Sequence, residues 1–221
     1  MAKKKLTRFS ENDTFPNLFQ PSYHQVMTKG FPLKGKWNTD FFRNDAPIVV
    51  ELGCGKGEYT VGLAEQMPEK NYIGIDIKGA RMWRGLKTAH EAGFRHVAFI
   101  RSHIEQIEHF FGPLEIDEIW ITFPDPQPKT SKARKRLTSP LFLQRYRKVL
   151  KKEHLIHLKT DDTGLFEYTL EVIATENHQL LYHTHDLYGA GLKEAAAEIQ
   201  TYYEKIWLEQ GKPICYLRFR L

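Results

Sequence analysis

Ile48-Val49-Val50-Glu51-Leu52-Gly53-Cys54-Gly55-Lys56-Gly57 decides the fold. Its first half is β-branched and apolar at consecutive positions, so both faces of the strand it forms must be buried, as in a parallel sheet. Three glycines at alternate positions follow directly. Glycine lets the backbone turn sharply and come close to a ligand, with no Cβ in the way. The next segment, Glu58 to Met67, has helical character and stops before Pro68, because the residue preceding a proline is driven out of the helical region. Strand, glycine loop and helix in that order make the first half of a nucleotide-type βαβ unit.

The loop excludes two of the usual nucleotides. In the dinucleotide pattern G-x-G-x-x-G the third glycine would fall where Glu58 stands, a poor neighbour for a pyrophosphate. No G-K-[ST] follows the glycines, so this is not a P-loop. Glu51, just before the loop, calls for a cationic ligand group at the end of the strand. Asn71-Tyr72-Ile73-Gly74-Ile75-Asp76 reads as a second strand ending in an acid, 25 positions after Glu51. An acid at that tip can accept hydrogen bonds from both ribose hydroxyls. A ribose, a cationic end and no phosphate together describe S-adenosyl-L-methionine. The plainer reading takes Glu51 and Asp76 as ordinary surface acids at strand ends.

With 221 residues the chain can build one α/β domain with a sizeable core. Apolar residues at 41% and charged residues at 27% fit a globular chain rather than a disordered one. No run approaches the roughly 18 apolar residues of a membrane span, and the basic start Met1-Ala2-Lys3-Lys4-Lys5 has no apolar stretch behind it. Two cysteines, Cys54 and Cys215, cannot make a metal cluster by themselves and suggest no disulfide framework, so no metal and a cytoplasmic location are expected. The net charge of +5 favours a polyanionic partner.

Residues 1–47 read as a lead-in without sustained periodicity, mobile through about Asn12, and residues 48–221 as one domain. Within Lys34-Gly35-Lys36-Trp37-Asn38, basic residues beside an aromatic suit RNA contact by charge and stacking, while Trp37 itself is expected to cover an edge of that domain. After Asp76 the pattern predicts a helix over 78–92, a strand over 96–100, a helix at Ile104 to Phe111 and a strand over 118–123. A helix capped by Ser139-Pro140 and running to about Lys151, a strand over 155–160 and a helix carrying Phe166, Leu170 and Ile173 follow. Strands at 179–187 and 213–221 flank a helix carrying Ile199, Tyr202, Tyr203, Ile206 and Trp207. Five strands alternating with helices, then two more, predict a doubly wound, mostly parallel seven-stranded sheet with helices on both faces, Rossmann-like.

In such a sheet ligands bind outside the carboxyl ends of the strands, which gathers Glu51, Asp76, His103, Asp125 and Asp161 along one edge. In Phe123-Pro124-Asp125-Pro126 two prolines hold the backbone on either side of one carboxylate. Pro128-Lys129-Thr130-Ser131-Lys132-Ala133-Arg134-Lys135-Arg136 runs on directly, with five basic residues and no acid. Such a run is often only a solvated face. Beside a reactive loop it fits a phosphate backbone better.

These stretches, with Lys159-Thr160-Asp161 and Thr201-Tyr202-Tyr203-Glu204, resemble the bacterial tRNA (guanine-N7)-methyltransferases, a family of class I S-adenosylmethionine-dependent enzymes, from about Lys34 onward. The resemblance implies methyl transfer to N7 of the variable-loop guanine of tRNA (position 46 of the tRNA), giving 7-methylguanosine and S-adenosyl-L-homocysteine. It assigns Glu51, Gly53, Gly55, Gly57, Asp76, His103 and Asp125 to the cofactor, with Asp125 also facing the target base. Lys129, Asp161, Thr201, Tyr202, Tyr203 and Glu204 fall at substrate-contacting positions, and Lys132, Arg134, Lys135 and Arg136 on the RNA-contacting loop. His103 stands where the family usually has an aspartate, Gln127 where it has a tryptophan, and Asp76 where it has a glutamate. No membrane partner is implied, and a monomer or homodimer is expected.

N7 of guanine carries an exposed lone pair and no proton, so no general base is required. Catalysis is expected to be alignment plus electrostatics, with Asp125 or Asp161 opposing the charge that moves onto the imidazole ring. A methyltransferase of DNA, rRNA or a small molecule would keep the cofactor acids without needing the basic run. A non-catalytic RNA-binding subunit would not need both Glu51 and Asp76.

Overall fold

The computed structural model describes residues 2–221, with side chains from residue 7 onward. The chain begins with α1 (Ala2–Asn12), β1 (Leu18–Phe19), α2 (Tyr23–Lys29) and a π-helical turn (Trp37–Phe42). β2 (Ile48–Leu52), α3 (Glu58–Gln66), β3 (Asn71–Asp76), α4 (Gly79–Glu91), β4 (Val97–Arg101), α5 (Ile107–Phe110) and β5 (Ile116–Thr122) alternate after it. The second half holds α6 (Pro140–Arg147), β6 (Leu150–Thr160), α7 (Thr163–Thr175), β7 (Gln179–Thr184), α8 (Ala195–Glu198), α9 (Tyr202–Glu209) and β8 (Cys215–Arg220).

The strands form one sheet in the order β1-β4-β3-β2-β5-β6-β8-β7, parallel up to β6, with β8 antiparallel to both its neighbours. The sheet therefore has eight strands among the described residues, not seven. The added one is β1, whose Leu18 and Phe19 pair with Phe99 and Ile100 on the outer edge of β4. Two residues carry no period, so only tertiary pairing reveals such a strand.

The lead-in also departs from expectation. Residues 2–12 form a helix laid against α4. Asn12, 1% exposed, donates from Nδ2 to the Gly79 carbonyl at 2.9 Å. Trp83 Nε1 donates to Glu11 at 2.6 Å, and the Arg8 guanidinium lies 4.6 Å from the Trp83 ring centre. Trp37 is fully buried, its indole N–H donating to the Phe110 carbonyl and its ring stacked on Phe111. Glu115 receives the backbone N–H groups of Gly35, Trp37 and Gly112, which seats that motif in the fold.

Two cores cover the faces of the sheet. Val50, Leu52, Ile119, Ile121, Ile156 and Leu158 pack on one side with Trp37 and Phe110. Val49, Tyr72, Phe99, Trp120 and Tyr216 pack on the other with Tyr59, Leu63 and Leu86. Strand alternation puts Glu51, Thr122 and Lys159 on this second face, at its carboxyl end. All five β2 residues are buried, as the unbroken apolar run requires. β2 pairs with β3 on one side and β5 on the other, so the chain reverses its winding beside β2. That reversal opens the crevice in which ligands of such sheets bind.

Candidate active site

Gly53, Gly55 and Gly57 all take positive φ (79°, 54° and 70°), a region that side chains strain to enter. The loop they form is tied down by Gly53 and Cys54 N–H groups donating to the Ile75 carbonyl. Gly85, a helix-weakening residue inside α4, has its reason here. A Cβ on it would sit 2.8 Å from the Lys56 carbonyl and 3.0 Å from Gly57, so only glycine lets α4 pass this close to the loop.

Glu51 lies under the loop, 3% exposed. Its Oε2 accepts the Thr60 backbone N–H at 2.8 Å and a short bond from the Thr60 hydroxyl, while Oε1 accepts the Thr122 hydroxyl at 2.7 Å. Thr60 is the third residue of α3, so Glu51 satisfies one of the unpaired N–H groups at that helix start. Burial pushes its carboxyl up to about 7, against the pull of the Thr122 and Thr60 bonds. A carboxylate has about four acceptor sites, so one lone pair on Oε1 remains for a ligand.

Asp76 takes the Gly55 N–H on Oδ2 at 2.9 Å and the Lys78 N–H on Oδ1 at 2.7 Å. Each oxygen keeps acceptor capacity on the cleft side. Two adjoining compartments meet at Gly53, Arg81 and Phe123. The smaller, about 150 Å³, is lined by Glu51, Gly55, Tyr59, Thr122, Thr201 and Tyr203 among others. The larger, about 400 Å³, holds Asp76, His103, Ile104, Pro124, Asp125 and Gln127. His103, exposed, stands on its rim where β4 ends. Gly57 lines neither compartment; a Cβ on it would meet the Phe99 ring at 2.7 Å.

Asp125 is exposed on the wall of the larger compartment, and its Oδ1 accepts the Gln127 N–H at 3.1 Å. The loop bends through positive φ at Phe123 and Gln127, both 46°. It is then clamped from outside. Arg136 Nε donates to the carbonyls of Pro126 and Gln127 at 3.2 and 3.3 Å, Nη2 donates to Gln127 at 3.2 Å, and the guanidinium lies over the Tyr168 ring at 4.2 Å. Arg136 thus differs in its surroundings from the basic residues beside it. Its donors face the Asp125 loop, whereas Lys129, Lys132, Arg134 and Lys135 stay exposed on and before a 3-10 turn (Thr130–Lys135).

The other expected substrate residues separate. Asp161 sits at the tip of β6, 3.9 Å from Lys212, and lines neither compartment. Thr201 and Glu204 form a capping box that starts α9, so the single helix expected from Ile199 to Trp207 is broken there. Glu204 is fully buried and lines neither compartment. Its oxygens accept from Tyr188 at 2.6 Å and from the Thr201 N–H at 3.2 Å, and pair with Lys159 at 2.6 Å. Lys159, 0% exposed, spends its remaining donors on the Ala196 and Ile199 carbonyls. Burial lowers its pKa, against the pull of Glu204. Tyr202 and Tyr203 remain exposed beside Lys56, whose ammonium is 4.1 Å from the Tyr202 ring centre, and Tyr203 lines the smaller compartment. Arg81, Thr60 and Thr122 are not among the expected site residues. Lys159, quoted only within its motif, carries the one signal among the four: a lysine inside an apolar strand, where a buried charge needs a partner.

A buried acid under a glycine loop, an acid at the next strand tip and a cleft at the winding reversal fit the methyltransferases of the Rossmann-like class. Residues 45–217 match the family described as putative methyltransferase. The solved 16S rRNA methyltransferase KamB has the same fold, with a TM-score of 0.64 at 14% identity over 85% of this chain and 94% of that one. A 16S rRNA (adenine(1408)-N(1))-methyltransferase from Catenulisporales acidiphilia, solved with its cosubstrate SAM, superimposes with a TM-score of 0.55 at 15% identity, over 82% of this chain and 88% of that one.

Sequence relatives narrow the class. The tRNA (guanine-N(7)-)-methyltransferase of Christiangramia forsetii is 54% identical over all of this chain and 99% of its own length. That of Bacteroides thetaiotaomicron is 49% identical over all of this chain and 87% of its own. The chain belongs to the tRNA (guanine-N(7)-)-methyltransferase family.

Proposed function

We propose that this chain transfers the methyl group of S-adenosylmethionine to N7 of the variable-loop guanine of tRNA and releases S-adenosylhomocysteine. The observation that carries the reading is the convergence of Glu51, Asp76 and Asp125 on one cleft, with an exposed basic turn starting from the Asp125 loop. Residues 48–221 act as the catalytic domain and 1–47 as its extension. Among the described residues no helix is long and apolar enough to cross a membrane, and no cluster of three metal-ligating side chains occurs. A cytoplasmic place, where tRNA is met, belongs to the reading.

The site fits the cofactor on its own chemistry. Glu51 offers its remaining lone pair to an ammonium, Asp76 offers one acceptor on each oxygen to a ribose diol, and the glycine loop leaves room for close approach. When bound, S-adenosylmethionine supplies an electrophilic methyl carbon, already activated by the sulfonium. The guanine N7 lone pair forms the new C–N bond as the C–S bond breaks, so no side chain has to remove a proton. What the residues must provide is alignment and a counter-charge for the imidazole ring. Asp125 suits both tasks better than Asp161, because it stands on the compartment wall in a loop held by Gln127 N–H and by Arg136.

Unmodified tRNA incubated with the protein and S-adenosylmethionine should gain 7-methylguanosine, read by nucleoside mass spectrometry. Asp125→Ala should fold and bind tRNA but lose about 10²–10³ in turnover. A methyl group on another base, or on another guanine atom, would overturn the assignment of the reaction.

A further inference from the structure

Arg81 is the one cation, among the described residues, that lines both compartments of the cleft. It stands in the first turn of α4, exposed, and its guanidinium makes no hydrogen bond or ion pair with any described residue. Resting on the cofactor reading above, we propose that Arg81 binds the α-carboxylate of the cofactor's amino-acid end and so selects for that zwitterion.

The argument starts from the ligand's own connectivity. Its ammonium and carboxylate hang on one carbon, so whatever reads the carboxylate must share a compartment with Glu51, which reads the ammonium. Two cations line that compartment, Lys56 and Arg81. Lys56 is occupied, its ammonium over the Tyr202 ring and 3.9 Å from Glu58. Arg81 is not, and a planar guanidinium matches a carboxylate through two parallel bonds. The carboxylate is the one anion the cofactor carries, and Arg81 is the unpaired cation that shares the compartment of Glu51. Phosphates of the RNA have the exposed Lys132, Arg134 and Lys135, of which Lys135 lines the larger compartment.

Calorimetry with two ligands and two proteins tests this: S-adenosylhomocysteine and its decarboxylated amine, against the wild type and Arg81→Gln. Arg81 is exposed, so the variant should keep the wild-type unfolding midpoint. The wild type should bind S-adenosylhomocysteine roughly 10- to 100-fold more tightly than the amine. Arg81→Gln should lose that preference, binding both ligands with the wild type's affinity for the amine, and should bind tRNA normally. Equal losses for both ligands, or a wild-type preference that survives in Arg81→Gln, would overturn the assignment. So would unchanged affinity for S-adenosylhomocysteine with weakened tRNA binding, which would make Arg81 a phosphate contact. Failure of the wild type to bind either ligand would instead overturn the cofactor reading, and this inference with it.

Discussion

Burial raises the Glu51 carboxyl to about 7 in the folded protein, against 4.5 for an unperturbed glutamate. A group whose folded pKa lies above its unfolded value favours folding fully only below the unfolded value, and that contribution is lost as pH rises through the folded one. The unliganded protein should therefore lose stability between about pH 4.5 and 8, on the order of 3 kcal/mol from this residue. A bound ammonium favours the ionised carboxylate, so affinity for S-adenosylhomocysteine should rise across the same interval. Urea titrations from pH 5 to 8, on the wild type and on Glu51→Gln, check the first point. The decline should flatten in the variant, and parallel curves would show that the titrating group lies elsewhere.

Among the elements, β6 and α9 are joined by a pair of charges that no solvent reaches. Lys159 has three donors and three acceptors around it, the Ala196 and Ile199 carbonyls and Glu204. These bonds tie the 195–204 segment, with Thr201 and Tyr203 on the cleft wall, to the sheet. Deleting one partner of a buried pair leaves an uncompensated charge, which typically costs about 3–5 kcal/mol. Lys159→Met should lose about that much in urea denaturation. Adding Glu204→Gln should recover part of it, because the orphaned charge is gone while an acceptor for the Thr201 N–H survives. A loss below about 1 kcal/mol in the single variant would mean the pair contributes little to holding this segment.

Across the whole molecule, a net charge of +5 favours a polyanionic partner. Lys132, Arg134 and Lys135 project from the turn that follows the Asp125 loop, on the edge where the cleft opens. Neutralising these three should weaken tRNA binding and flatten the slope of log K against log salt by about 0.7–0.9 per lost phosphate contact. Arg136→Lys should behave differently. It keeps the charge but loses the paired bonds to Pro126 and Gln127, so turnover should fall while the salt slope and S-adenosylhomocysteine affinity stay at wild-type values. Filter-binding isotherms over a salt series, paired with single-turnover methylation, separate the two. An unchanged slope in the triple variant would reduce the turn to a solvated face.

Much of this was legible in the chain before any coordinates. The apolar run at 48–52, the alternate glycines and the two strand-tip acids dictate a parallel sheet with a ligand at one edge, because periodicity and glycine stereochemistry are local properties. The positions of Glu51, Asp76 and Asp125 around one cleft follow from the general rule for such sheets. What one-dimensional reading could not reach were partnerships between residues far apart in the chain. Glu204 and Arg136 sit in motifs expected to contact substrate. No motif told that packing would pair one with Lys159 and set the other on the Pro126 and Gln127 carbonyls. Leu18 and Phe19 became a strand only because β4 offered an unpaired edge, and residues 2–12 became a helix with a partner because α4 presented Trp83. Arg81 gave no signal at all, since an exposed arginine on a helix is ordinary until the fold sets it between two compartments. Local chemistry is written in neighbouring residues; burial, pairing and vacancy are decided by which surfaces the folded chain brings together.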